Sequence, residues 1–211
     1  MTEATGGITM TPENNYKEDS VGIALPGVQL RLEEDGELCI KGPYISSGYY
    51  KDNNSKLFKD GWFHTQDIFY EKLNHYFIID RKKDIYKNSR GQTIAPQKIE
   101  NLFQDFEFIQ SVFLVGDGKE YNTLLVYPNY NHDSQNLKNL NSQKIRSLFS
   151  SMILSVNSFL SPYERIVNYA VIHRDFSSDL DELTSKDTFK RKNILQNLSL
   201  IHISEPTRPL R

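Results

Sequence analysis

Four groups of side chains in this sequence could do chemistry. The segment Gly61-Trp62-Phe63-His64-Thr65-Gln66-Asp67 ends on a carboxylate that can accept hydrogen bonds at two oxygens, although Asp67 reads equally as a turn aspartate between Thr65 and Ile68. Asp80-Arg81-Lys82-Lys83-Asp84 sets three cations between two carboxylates. Arg81 could meet an anionic ligand or pair with Asp80 or Asp84, and such surface pairs are worth little. Lys186, Lys190, Arg191 and Lys192 cluster near the other end, each a donor to an anion or one more solvated cation. Thr2 and Glu3 offer a hydroxyl and a carboxylate. Taken alone, Glu3 reads as a carboxylate in a loop or at the start of a helix and Thr2 as a turn cap.

Other chemistries lack their residues. Gly116-Asp117-Gly118-Lys119 ends in Gly-Lys, but no glycine stands five places before Gly118, so it reads as a hairpin turn and not a phosphate-binding loop. His64, His75, His132 and His173 show no metal-ligand spacing with one another, and no Gly-x-Ser-x-Gly nucleophile elbow occurs. Cys39 is the sole cysteine, so neither an internal disulfide nor a multi-cysteine metal site can form, and a reducing cytoplasm fits best.

These residues must be positioned by elements that the hydrophobic pattern predicts. Val28, Leu30 and Leu32 alternate with polar residues, Asp35-Gly36 supplies a turn, and Leu38 and Ile40 alternate again, so a hairpin is expected. Residues 8–20 are polar and read as a surface loop, and Tyr76 to Ile79 as a short strand. Beyond the charged stretch, Ile85 to Ile94 reads as a second hairpin turning at Ser89-Arg90-Gly91, with Lys87 on it. Pro96 then suits the first position of a helix. Two strands, Val112 to Val115 and Thr123 to Tyr127, precede an amphipathic helix carrying Ile145, Leu148, Phe149, Met152, Ile153, Val156 and Leu160. Ile166 to Ile172 reads as a strand and Phe189 to Leu195 as a short basic helix. The order predicts an α+β fold: a β-rich piece over 1–80, a boundary at 81–83, and a small α+β domain over 84–197. Residues 198–211 resemble the translation of a sequencing-library adapter and are set apart from the fold; the opening residues read as the middle of a longer protein.

Composition narrows the function classes. The 211 residues carry 25 Lys and Arg against 27 Asp and Glu, a net charge of −2, which argues against a protein built to wrap nucleic acid. Apolar runs fall far short of the ~20 residues of a spanning helix, so no transmembrane segment is expected, while peripheral membrane contact stays open.

Five motifs in order resemble the adenylate-forming superfamily, which comprises acyl-CoA synthetases, amino-acid adenylation domains and luciferases. They are Thr2-Glu3; Gly36-Glu37-Leu38-Cys39-Ile40-Lys41-Gly42 with Gly48-Tyr49; Trp62 to Asp67; Asp80 to Asp84 followed by Gly91, Ile94-Ala95-Pro96 and Ile99-Glu100; and Pro162 to Arg165 with Glu182-Leu183-Thr184 and Thr188-Phe189-Lys190. They are most similar to bacterial long-chain fatty acyl-CoA synthetases. The resemblance implies the end of a large N-terminal AMP-binding domain, with a distorted barrel, joined to a mobile C-terminal lid domain.

The reaction it implies joins a fatty acid to coenzyme A through an acyl-adenylate made from ATP, with Mg²⁺ required; this chain alone is expected to be inactive. By the same resemblance Glu3 holds Mg²⁺, Thr2 reaches phosphate, Asp67 takes both ribose hydroxyls, Arg81 contacts ribose or phosphate, and Lys83 is the hinge. Lys190 bridges the substrate carboxylate and the α-phosphate, with Lys192 as the fallback, while Lys87 and Gly91 serve the thioester step. Gln66 departs from the family, where glycine is usual; a position needing positive φ would strain a glutamine. A non-catalytic nucleotide-binding or interaction module and an amino-acid adenylation domain are the alternative readings.

Overall fold

The computed structural model describes residues 1–51, 56–130 and 142–200, and the chain divides into two compact units, Met1–Ile85 and Tyr86–Arg211. The polar stretch from Asn131 to Asn141, His132 included, and residues 201–211 of the adapter-like tail lie outside the described residues.

In the first unit, β1 (Thr9–Met10) pairs with β2 (Ile23–Ala24), so the stretch read as a loop over 8–20 contains a short strand. An antiparallel sheet of β3 (Gln29–Leu32), β4 (Glu37–Lys41), β5 (Phe58–Lys59), β6 (Trp62–Lys72) and β7 (His75–Arg81) forms the body of the unit. The β3–β4 hairpin turns where expected. Gly36 adopts φ +84°, which glycine alone takes without strain, and an added Cβ would come within 3.1 Å of the Phe69 carbonyl. Val28, Leu38, Ile40, Phe63, Phe69 and Tyr76 make the core.

The second unit begins with the expected hairpin, β8 (Tyr86–Lys87) and β9 (Thr93–Ile94), followed by α1 (Pro96–Asn101), with proline in its first turn. A three-stranded sheet runs β10 (Ile109–Val115), β11 (Asn122–Pro128), β12 (Ile166–Val171); β10 and β11 are antiparallel and β11 and β12 parallel. Alternation along β10 and β11 splits the side chains between two cores. Val112, Leu114, Leu124 and Val126 pack with Ile99 of α1 and with Phe149, Met152, Ile153 and Val156 of α2 (Ser142–Asn157), while Phe113 and Leu125 pack on the other face with Phe176 and Ile194.

Two boundaries moved for identifiable reasons. Helix α2 stops at Asn157 and not near Leu160, because the Asn157 side chain brackets Ile166, donating to its carbonyl at 2.8 Å and accepting its amide at 2.9 Å. The last helix, α3 (Arg191–Leu200), starts two residues later than the basic pattern suggested and runs past residue 197; Leu198 packs against the cluster around Phe113. Among the described residues no helix is long and apolar enough to cross a membrane.

Candidate functional site

Asp67 lies within the eleven-residue strand β6, not in a turn. Its register partner across the sheet is Arg81, the last residue of β7, and Arg81 Nε stands 3.8 Å from Asp67 Oδ1. Two side chains fourteen positions apart thus share one end of a strand pair, a carboxylate beside a guanidinium, both partly open to solvent. Burial pushes the Asp67 carboxyl above the ordinary aspartate range; Arg81 opposes that shift, and the nearby charge of Glu3 adds to it.

The backbone just before Asp67 is irregular. Gln66 adopts φ +62°, so the position does take the left-handed conformation that glycine favours. Between the pairs Cys39↔His64 and Glu37↔Ile68, β6 advances four residues while β4 advances two, a bulge that re-aims Asp67. The glutamine is held there by Glu37, a buried carboxylate: Glu37 Oε1 accepts from the Gln66 backbone amide at 3.0 Å and from Gln66 Nε2 at 2.7 Å. Thr65 Oγ1 donates to the Leu38 carbonyl at 2.8 Å and accepts from the Asp67 amide at 3.1 Å.

The same carboxylate reaches the Arg81–Asp84 turn. Lys82 Nζ donates to Glu37 Oε2 at 2.8 Å and lies 2.6 Å from Asp35 Oδ2, while the Lys82 amide donates to the Gln66 carbonyl at 2.9 Å. These contacts with Asp35 and Glu37 raise the Lys82 ammonium above its ordinary range and hold Glu37 ionised against its burial. Neither Glu37 nor Lys82 was singled out from sequence. The signal that was available is the Gly36-Glu37-Leu38 motif, but nothing in one dimension shows that its acid faces Gln66. Lys83 is exposed in the following turn, closed by Asp84 and Ile85 amides donating to the Arg81 carbonyl at 2.9 and 3.1 Å.

Thr2 and Glu3 share one turn of 3₁₀ helix, Thr2–Ala4. Thr2 is exposed; Glu3 Oε1 accepts from the Tyr49 hydroxyl at 2.7 Å, and the Glu3 carbonyl accepts from the Ser46 amide at 2.7 Å. A single carboxylate on a firm turn is a donor set that suits Mg²⁺, which keeps waters and takes most of its ligands from substrate phosphates.

The remaining candidates belong to the second unit. Lys190 closes a short hairpin: Leu183 and Phe189 form an antiparallel bridge, Thr184 and Thr188 hydroxyls lie 2.8 Å apart, and the Lys190 amide donates to the Glu182 carbonyl at 2.8 Å. Its own carbonyl accepts the first amides of α3, from Asn193 and Ile194, and its ammonium pairs with Asp181. Lys192, the fallback, is exposed in the first turn of α3. The hairpin is anchored by Glu182, fully buried, whose carboxylate takes a two-pronged contact from Arg174 with both distances 2.7 Å; Arg174 first, then Asn197, holds it below the ordinary glutamate range. Arg191 in turn meets the buried Glu100 of α1, which accepts the Leu114 amide at 2.6 Å. Gly91 sits at φ +77° in open surroundings, in a turn built by Asn88, whose side-chain oxygen accepts from the Arg90 and Gln92 amides. Lys87 is exposed on β8.

The family model described as the AMP-binding enzyme C-terminal domain matches residues 83–200. Among curated proteins, fatty acyl-CoA synthetase B of Dictyostelium discoideum is 44% identical over 90 residues, 41% of this chain and 13% of that protein. Human long-chain-fatty-acid–CoA ligase 1 is 30% identical over 221 residues, 92% of this chain and 32% of the ligase. The chain therefore spans about a third or less of the length of these relatives. Among solved structures, the anthranilate CoA ligase AuaEII with anthranoyl-AMP superposes with a TM-score of 0.72 at 14% identity, covering 95% of this chain and 39% of that one. The O-succinylbenzoate coenzyme A synthetase of Bacillus subtilis, solved with ATP and magnesium ion, gives 0.68 at 19% identity, covering 91% and 39%. At such identities these two comparisons establish the fold.

Proposed function

Because this chain belongs to the AMP-binding enzymes, carrying their C-terminal domain over residues 83–200, we propose that it is the C-terminal part of an AMP-forming fatty acyl-CoA synthetase. The reaction would join a fatty acid to coenzyme A at the expense of ATP, through an acyl-adenylate, in the cytoplasm. Activity needs the remaining two thirds that the relatives possess. The single observation that carries the reading is the Asp67–Arg81 pair, register partners with carboxylate and guanidinium 3.8 Å apart.

In this reading Asp67 accepts both ribose hydroxyls, and Arg81 orients the sugar or its phosphate while opposing the burial that pushes the Asp67 carboxyl up. Forming an acyl-adenylate brings a carboxylate against a triphosphate, so fixed cations must screen two anions. Glu3 would hold Mg²⁺ and Thr2 would lend its hydroxyl to phosphate; when bound, Mg²⁺ neutralises phosphate charge. Lys190 would leave its surface partner Asp181, a pairing worth less than about 1 kcal/mol, to reach the substrate carboxylate and α-phosphate. The hinge is placed at 81–83, with Lys83 solvated whatever the pose of the lid over 84–197, and the hairpin of Lys87 and Gly91 is assigned to the thioester step.

Nuclear magnetic resonance with AMP tests the central claim. AMP is expected to shift the amides of residues 65–68 and 80–83, 2′-deoxy-AMP to do so more weakly, and Asp67→Asn to abolish the shifts with the spectrum otherwise unchanged. Equal responses from the deoxynucleotide and from Asp67→Asn would overturn the ribose assignment.

A further inference from the structure

A second constellation lies on the strands that lead to Asp67, and its donor types are those of a metal site. Cys39 on β4 and His64 on β6 are register partners, and the Cys39 Sγ stands 3.2 Å from His64 Nδ1 and 3.4 Å from Glu33 Oε1. The three ligand atoms all lie within 4.8 Å of one another. In a tetrahedral zinc site, with Zn–S about 2.3 Å and Zn–N and Zn–O about 2.0 Å, donor atoms are separated by roughly 3.3–3.5 Å. The thiol–imidazole and thiol–carboxylate separations, 3.2 and 3.4 Å, come within about 0.3 Å of that spacing, and the imidazole and carboxylate atoms, within 4.8 Å of each other, would draw together around an ion.

The surroundings fit a cation too. Glu37 Oε2 lies 3.7 Å from the same His64 Nδ1, so this ring nitrogen faces two carboxylates and a thiol. Cys39 is fully buried, whereas the side chains of His64 and Glu33 are 20% and 35% exposed, which leaves a way in from solvent. Arg31 donates to the same Glu33 Oε1 at 2.5 Å and lies over the Trp62 ring at 4.4 Å, so this oxygen already serves a cation, and an entering ion would displace Arg31 from it. The resting thiol is a neutral S–H that donates to Glu33; burial first, then the Glu33 carboxylate, pushes it up to about 12.

We propose that Glu33, Cys39 and His64 form a three-ligand site for a thiolate-preferring divalent cation of the zinc type, with water as the fourth ligand. Binding replaces the thiol proton by the ion: the S–H bond breaks, a metal–sulfur bond forms, and one proton leaves for solvent without any change of oxidation state. The ion would tie the β3–β4 turn to β6 two residues before Gln66. The assignment rests on the sheet register and is independent of the nucleotide reading.

The test uses the 211-residue chain, stripped with chelator and titrated with Co²⁺ alone, followed by the thiolate-to-cobalt charge-transfer absorption and chased with Zn²⁺. The expected result is one Co²⁺ per chain, one proton released, and displacement by one equivalent of Zn²⁺. Cys39→Ser removes the charge-transfer band. His64→Gln and Glu33→Gln, both at partly exposed positions, each weaken binding by at least about tenfold, circular dichroism staying unchanged. Absence of the band in the unmodified chain, its survival in Cys39→Ser, or unchanged affinity in His64→Gln or Glu33→Gln would overturn the proposal.

Discussion

Gln66 shows how one residue can hold a conformation its type disfavours. A non-glycine residue in the left-handed region costs about 1 kcal/mol, and Gln66 at φ +62° offsets this by donating Nε2 to the Glu37 carboxylate at 2.7 Å. Its backbone amide contact with Glu37 at 3.0 Å does not depend on the side chain and is available to alanine and glycine alike. Two substitutions separate the terms. Gln66→Ala keeps the strain and loses the side-chain bond, so the first unit should lose about 1–2 kcal/mol; Gln66→Gly loses the bond but relieves the strain, so it should stay within about 1 kcal/mol of the parent. Urea unfolding followed by Trp62 fluorescence reads the order. If alanine proves no worse than glycine, the amide contributes nothing to holding the bulge.

At the scale of elements, the hairpin around the Leu183–Phe189 bridge places Lys190 at the entrance of α3, where its backbone amide and carbonyl are engaged and its ammonium pairs with Asp181. The proposed role gives a split outcome in a protein completed with the acyl-binding portion of a relative. Lys190→Ala should abolish acyl-adenylate formation, the loss of one preorganised donor costing about 3 kcal/mol or more of transition-state stabilisation. It should largely spare thioester formation from supplied acyl-adenylate. Equal loss in both half-reactions would remove Lys190 from the first step, and the same split in Lys192→Ala alone would move the role there.

Across the whole molecule, stability leans on carboxylates that are ionised in low-exposure settings. Glu37 is held below the ordinary glutamate range by Lys82 and Gln66 against its burial, and Glu182 chiefly by Arg174. A carboxyl whose folded value is depressed adds stability that is present above its unfolded value of about 4.5 and is lost as pH falls through the folded one. Acid below about pH 4.5 should therefore unfold the protein progressively. Glu182→Gln should cost about 1–2 kcal/mol at pH 7, since a buried amide cannot accept both prongs of Arg174, whose own charge is 38% exposed and screened by water, and it should flatten the acid limb of the stability curve. Chemical unfolding at pH 7 and pH 4 compares the two; an unchanged difference between them would mean Glu182 titrates alike in both states.

Much of the architecture could be read from residue order. Alternation and a Asp35-Gly36 turn specify the β3–β4 hairpin, Pro96 the start of α1, and the apolar stripe from Ile145 to Val156 the body of α2, because these are short-range choices of backbone and burial. The motif order also specified the family, since spacing along a chain is a one-dimensional property. Sheet register was beyond reach. That Asp67 lies against Arg81, that Glu37 holds both Gln66 and Lys82, and that Cys39 meets His64 across 25 positions all depend on which strands pair and at what offset. A one-residue slip in any of these ladders would turn the side chain to the opposite face, and only the packing of the whole sheet fixes that offset.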